Sequence, residues 1–190
     1  MPEVLILTGP PGAGKTTSAE ALAERYDRVA IVPVDAIDEF ITPTGHVQPW
    51  GPPEAWARQR RLDTKNACSL ALNFLEARFA VIIDDTITSA DELSYYVEGL
   101  SGAGVGIHLV RLMPSLEVCQ ARNAGRGRDQ RMRAEHVEAA YRQIEAAGDV
   151  GGVSLDNGAL SASETADKLQ AFTTSGASLL LKYFRGQSQA

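Results

Sequence analysis

The chain has 190 residues, 44% of them apolar and 22% charged, with a formal net charge of −6. This length supports one well-buried domain, and the balance is that of a globular protein rather than a disordered one. An acidic chain is a poor match for sequence-independent nucleic-acid binding, which needs phosphate-neutralising Lys and Arg, so no nucleic-acid partner is expected. No apolar run reaches the ~18 residues of a membrane span, and the short apolar stretch at 4–7 has no basic segment before it, as a signal peptide would. The two cysteines, Cys68 and Cys119, stand far apart without a spaced His, which suits core positions in a reducing compartment. No membrane association and a cytoplasmic location are the resulting expectations.

Short apolar runs alternate with helical patterns, the mark of an α/β domain with a parallel sheet between helices. Strand 4–7 leads to a helix at about 15–26. Strand 29–34 ends at Asp35, and a Pro- and Gly-rich segment, 42–53, precedes a long helix at about 54–78. Strand 80–83 is closed by Asp84 and Asp85. Ser89 and Glu92 have capping-box spacing and open a helix that stops near Gly102. Strand 105–112 is followed by Pro114-Ser115, a further helix start. After an Arg-rich stretch come a helix at about 134–147, strand 153–155, and a last helix opened by Ser161 and Glu164. The tail from 178 onward carries Leu179, Leu180, Leu181, Tyr183 and Phe184. It either packs back on the domain or joins two copies as a homodimer.

Residues 9–16, Gly9-Pro10-Pro11-Gly12-Ala13-Gly14-Lys15-Thr16, fit the phosphate-binding pattern G-x-x-x-x-G-K-[ST]. A loop that wraps a phosphate turns its N–H groups inward, which asks for Gly conformations. The helix behind it points its positive end at the anion. Lys15 supplies a compact charge for the β- and γ-phosphates, and the Thr16 hydroxyl is a Mg²⁺ ligand. Gly9, Gly12, Ala13, Gly14, Lys15, Thr16 and the next residue, Thr17, form the expected nucleotide cradle.

Ligands of an open α/β sheet sit beyond the carboxyl ends of its strands. Asp35, Asp84 and Asp85 all fall there. Either Asp84 or Asp85 is placed to serve Mg²⁺, because neighbouring strand residues face opposite ways; Asp84 is favoured, which leaves Asp85 a capping or loop role. Asp35 is placed to orient an attacking hydroxyl and take its proton, the alternative being an N-cap for a short helix at 36–41. Asp38 is a second substrate contact or a solvated carboxylate. Arg122, Arg126, Arg128, Arg131 and Arg133 fall within residues 122–133, around Gly125 and Gly127. Such a segment suits a lid that brings guanidinium groups to a transferring phosphoryl, with Arg126 and Arg128 as its catalytic members. Arg122 is a candidate for stacking on adenine, with Asn157 at the edge of that pocket. In the acceptor region, residues 36–78, Phe40, His46, Trp50, Trp56, Arg58, Arg60 and Arg61 are candidates for pocket walls or anion clamps, or else for packing and surface. His108 and His136 read as structural.

Together these segments resemble the P-loop small-molecule kinases, most closely the chloramphenicol phosphotransferase-like group and more distantly shikimate and gluconate kinases and zeta-type toxins. The likeness rests on residues 9–17, 34–38 and 82–85, and on Val110-Arg111 followed by the Arg-rich segment. It spans about 3–170, and residues 42–53 depart from the pattern, so no particular acceptor comes with it. The resemblance implies a three-layer fold with a five-stranded parallel sheet of order 2-3-1-4-5, Asp35 as catalytic base, and ATP with Mg²⁺. It also implies transfer of the γ-phosphoryl group to a hydroxyl of a small molecule, such as an antibiotic or other natural product. A nucleotide or sugar kinase and an acceptor-free ATPase or switch use the same machinery. The expected division is a kinase domain over 1–172 and a tail over 173–190.

Overall fold

Strand β1 (Val4–Thr8) is buried along its whole length and lies at the centre of a five-stranded sheet of order β2-β3-β1-β4-β5, with β2 (Val29–Pro33), β3 (Ala80–Asp84), β4 (Ile107–Leu112) and β5 (Val153–Leu155). Every neighbouring pair of these strands is parallel. The computed structural model describes residues 3–127 and 131–180. The helices are α1 (Lys15–Ala23), α2 (Val34–Asp38), α3 (Pro53–Glu76), α4 (Ala90–Leu100), α5 (Leu116–Ala124), α6 (Ala134–Ala146) and α7 (Ala162–Ser175), with a 3₁₀ turn at Ser101–Ala103. The order is the one the resemblance implied.

The period-2 alternation of a strand divides the core. Val4 and Ile6 of β1 join a cluster with residues of α3 and α4, including Ala67, Cys68, Leu93 and Tyr96. Leu5 and Leu7 point the other way and join Ala19 and Leu22 of α1 with Ala166 and Leu169 of α7. A fully buried Ile or Leu contributes about 1.5–3 kcal/mol, so both faces of β1 anchor the domain. Cys68 and Cys119 are buried and free, and burial pushes the Cys68 thiol up to about 12. Among the described residues no helix is long and apolar enough to cross a membrane.

Local chemistry sets several boundaries. Strand β2 stops at Pro33, a residue short of expectation: proline lacks the N–H a ladder needs and is tolerated because β2 is an edge strand. The chain enters α2 at Val34, so Asp35 sits in a first helical turn, and Pro33 rather than Asp35 or any side chain occupies the N-cap. Ser89 caps α4 by accepting from the Glu92 amide. Glu92 reaches one residue further back, to the Thr88 amide and hydroxyl, so the reciprocal box is not formed there. It is formed at Ser161 and Glu164. Helix α3 ends beside Arg78, whose φ of 65° is left-handed.

After α7 the chain turns at Gly176 and returns to the sheet. Leu109 donates its amide to Ser178 O at 2.8 Å, and the Leu180 amide donates to Ile107 O at 3.0 Å. Leu179 bridges His108 in antiparallel sense. His108 is buried, within 2.8 Å of the Ser178 hydroxyl; burial lowers its pKa, against an opposing pull from Glu3. The remainder of the tail, from Leu181, lies outside the described residues.

Candidate active site

The loop between β1 and α1 is built on left-handed glycines, with φ of 84° at Gly12 and 90° at Gly14. A Cβ on Gly9 would fall on the Leu112 carbonyl oxygen, and one on Gly12 on that of Cys119. The loop is therefore wedged between the end of β4 and α5, and only glycine fits at these points. Helices α4, α5 and α7 have serine side chains at their N-termini. Helix α1 begins at Gly14 with no side-chain cap, which leaves its first N–H groups turned to the loop for an anion. Lys15 Nζ donates to Gly9 O at 3.0 Å and to Thr86 Oγ1 at 3.0 Å. Thr17 is exposed on the first turn of α1.

At the adjacent end of β3, Thr16 Oγ1 donates to Asp84 Oδ2 at 2.6 Å. Burial pushes the Asp84 carboxyl up from its ordinary pKa. Lys15 and the Thr16 hydroxyl pull it down, while Asp35 and Asp85 push it up further. A carboxylate crowded by two others beside a hydroxyl suits a divalent cation. Among the described residues no group of three His, Cys, Asp or Glu is arranged to hold a metal, so Thr16 and Asp84 would hold Mg²⁺ together with phosphate oxygens and water rather than in a protein cage. The Asp35 carboxylate is exposed and makes no hydrogen bond or ion pair with a described residue.

Asp85 faces elsewhere. Its Oδ2 accepts from Arg60 Nη2 at 2.6 Å and from the Tyr96 hydroxyl at 2.7 Å, and its Oδ1 accepts from the Thr86 amide at 2.7 Å. Burial works against the Arg60 charge, but Asp85, Glu92 and Tyr96 outweigh it and hold the guanidinium protonated. Burial first, then Asp85, push the Tyr96 hydroxyl well above its ordinary range, against the pull of Arg60. Arg60 also lies over the Trp56 ring, 5.8 Å from its centroid.

The family model described as "AAA domain" matches residues 4–150. The chain belongs to this AAA domain family. No curated protein sequence matches it. Among solved structures it is similar to a tunicamycin resistance protein of Deinococcus radiodurans, with a TM-score of 0.65, 21% identity, and 94% of this chain and 98% of that one covered. A sugar kinase from a Janibacter species gives a TM-score of 0.70 at 17% identity, covering 92% and 95%. A shikimate kinase of Acinetobacter baumannii gives 0.58 at 22%, covering 93% and 95%. At these identities the likeness is one of fold.

In this AAA domain protein the base-side candidates meet at the loop. Arg122 Nη1 donates to Ala13 O at 3.2 Å, and its Nη2 donates to Asn157 O at 3.1 Å and Gly158 O at 3.3 Å. Asn157 Nδ2 donates to the same Ala13 carbonyl at 2.9 Å, while its Oδ1 is buried without a partner among the described residues. Of the lid candidates, Arg126 is exposed, with its carbonyl accepting from Arg131 Nη2 at 3.1 Å, and Arg133 lies 3.5 Å from Glu135. Arg128 lies outside the described residues. Asn123 carried no signal in the sequence; it is buried and holds Met132, with its Nδ2 donating to Met132 O at 2.7 Å and its Oδ1 accepting from Met132 N at 3.1 Å.

Of the acceptor-region candidates, Asp38 is half-buried and paired. It pairs with His46 Nε2 at 2.5 Å and accepts from Gln59 Nε2 at 2.6 Å. Gln59 also takes the Val47 amide at 2.7 Å, so segment 42–52 is pinned to α2 and α3. Trp50 of that segment, 58% exposed, stacks on His136 of α6 with centroids 3.9 Å apart. Phe40 is exposed. Arg58 and Arg61 lie on the exposed face of α3, Arg58 3.9 Å from Glu54 and Arg61 5.1 Å from the Tyr95 ring centroid.

Proposed function

We propose that this protein transfers the γ-phosphoryl group of ATP to a hydroxyl of a small molecule. The observation that carries the reading is the meeting of three groups at the carboxyl ends of neighbouring strands: the uncapped start of α1 with Lys15, the Thr16–Asp84 pair at 2.6 Å, and the unpaired carboxylate of Asp35.

In this reading the amides of Gly12 and Gly14, followed by Thr17, cradle the phosphates, with Ala13, whose amide donates to Pro10 O at 3.1 Å, shaping the loop. Lys15 exchanges its contacts with Gly9 O and Thr86 for phosphate oxygens. Thr16 and Asp84 hold Mg²⁺, which when bound neutralises charge on the phosphate oxygens. Arg122 and Asn157 frame the base side by gripping the Ala13 carbonyl from two directions. Asp35 holds the acceptor hydroxyl in line and takes its proton as the new oxygen–phosphorus bond forms, while the bond from the γ-phosphorus to the ADP oxygen breaks. Arg126 and Arg128, in the Arg-rich stretch of the sequence, stabilise charge on the transferring group. An exposed Asp35 carboxylate without a partner among the described residues suits a group whose hydrogen bond is made with the acceptor in place.

The test is acceptor-dependent ADP release with Mg-ATP and a panel of hydroxylated small molecules. Lys15→Ala is expected to abolish it, and Asp35→Asn to lower kcat by roughly 10²–10⁴ with little change in ATP affinity. ADP release that is the same with and without every acceptor points instead to a hydrolase or nucleotide switch.

A further inference from the structure

Helix α3 turns four polar side chains inward: Gln59, Arg60, Asp63 and Thr64 are all buried. Three have partners. Gln59 bonds Asp38 and Val47, Arg60 bonds Asp85, and the Thr64 hydroxyl donates to Arg60 O. Asp63 does not. It is 1% exposed, and both of its carboxylate oxygens are buried with no hydrogen-bond partner among the described residues. Its electrostatic neighbours are Asp38, Arg60, Asp85 and His46, which place its side chain on the face of α3 turned to α2 and the end of β3. Burial, then Asp38, push its pKa up to about 6, so at neutral pH the group is still mostly ionised.

A buried carboxylate without a donor is costly, and a protein keeps one where something else completes it. Among the described residues the nearby cations are already engaged. Arg60 is spent on Asp85 at 2.6 Å and Lys15 on the loop and Thr86, while Arg58 and Arg61 are on the outer face of α3. The side chains left without a partner among the described residues here, Asp35 and Asp63, are both acceptors of hydrogen bonds. We infer that the acceptor is an alcohol that brings a hydrogen-bond donor to Asp63, a protonated amine best of all, and that the site discriminates against hydroxy acids and phosphorylated alcohols. This rests on the phosphotransferase reading. Because Asp63 is buried, the donor reaches it when the segment pinned through His46 and Val47 lifts, and the acceptor then replaces those pins. Asp63 is the specificity-determining residue; Asp35 handles the reacting hydroxyl.

The experiment compares matched amine, neutral and acid probes: glucosamine, glucose and gluconate; serinol, glycerol and glycerate. In ADP release the amine members should exceed the acids by at least ~tenfold in kcat/KM, the scale of a charge-assisted hydrogen bond gained against a repulsion. Asp63→Asn should raise KM for the amines by about tenfold or more, with kcat and the KM of the neutral members changed far less. Asp63→Glu should recover part of the loss. Preference for gluconate or glycerate, or an unchanged amine KM in Asp63→Asn, overturns the inference and leaves the phosphotransferase reading intact. Failure of every probe, charged or not, counts against that reading instead. Independently of any probe, urea midpoints at pH 8 test the observation the inference starts from, an Asp63 without an internal partner. Asp63→Asn and Asp63→Leu should both unfold at higher urea than the parent, as expected when an unpartnered charge is removed. A fall in both shows that Asp63 serves an internal partner and sinks the proposal.

Discussion

Replacing Arg60 by methionine tests the assignment of Asp85 to structure rather than to metal. The guanidinium and Asp85 side chains are 9% and 1% exposed and 2.6 Å apart, so the substitution strands a carboxylate in the core between α3, α4 and β3. Breaking a buried pair from one side costs about 3–5 kcal/mol. Asp85 keeps two donors, the Tyr96 hydroxyl and the Thr86 amide, which puts the expected cost near the lower end, about 3 kcal/mol. At about 2–4 °C per kcal/mol for a domain of this size, Arg60→Met should lower Tm by roughly 6–12 °C. Asp85→Asn should likewise destabilise. In the double variant both charges are gone and the amide still accepts from Tyr96, so its loss should fall short of the summed single losses by about 2 kcal/mol. Urea unfolding at pH 7.5, followed by far-ultraviolet circular dichroism, measures all four corners of the cycle. A cost below about 1 kcal/mol for Arg60→Met, or additivity within about 0.5 kcal/mol, would refute the reasoning.

Asp84→Asn should behave in the opposite way: stability at neutral pH unchanged or higher, because burial and the neighbouring Asp35 and Asp85 oppose the Asp84 charge, with Mg-ATP turnover reduced by at least ~10². Gly12→Ala puts a Cβ onto the Cys119 carbonyl at a φ of +84°. It should cost at least about 2 kcal/mol and, in the phosphotransferase reading, remove the rise in melting temperature expected of the parent with ATP. Asp63 should also shape the pH profile of stability. Its folded pKa of about 6 lies above the ordinary 3.8, so the folded state binds the proton more tightly. Stability from this group is full below pH ~4 and lost as pH rises through 6, by about 3 kcal/mol. The difference between parent and Asp63→Asn in urea midpoint, measured from pH 4.5 to 8, isolates it; a flat difference refutes the assignment.

The framework of this protein is legible in its sequence because the signals that build it are local. Apolar runs such as 81–83 become buried strands, Ser115 and Ser161 stand where helices begin, and the glycines at 9, 12 and 14 have the spacing a phosphate loop needs. Local information ran out where two choices were nearly balanced or a partner was distant. Alternation along β3 separates Asp84 from Asp85 but does not say which faces α1. That depends on Arg60, 25 residues away, whose side chain claims Asp85 and leaves Asp84 to Thr16. Asp35 reads as a strand end until Pro33, on an edge strand, closes the ladder and lets α2 start. Asp63 and Asn123 look like ordinary polar helix positions, because their burial comes from elements packed against them and not from their own neighbours in the chain.

The return of residues 178–180 to β4 has a practical consequence. Strand β5 covers β4 only from Val110 to Leu112, so without those residues the backbone groups of Ile107 and Leu109 would stand open on a flank of the sheet. Open strand flanks invite pairing with other chains. A shortened form ending at α7 would expose that flank while keeping every residue assigned to phosphate transfer, and should clump or precipitate while its nucleotide loop remains intact.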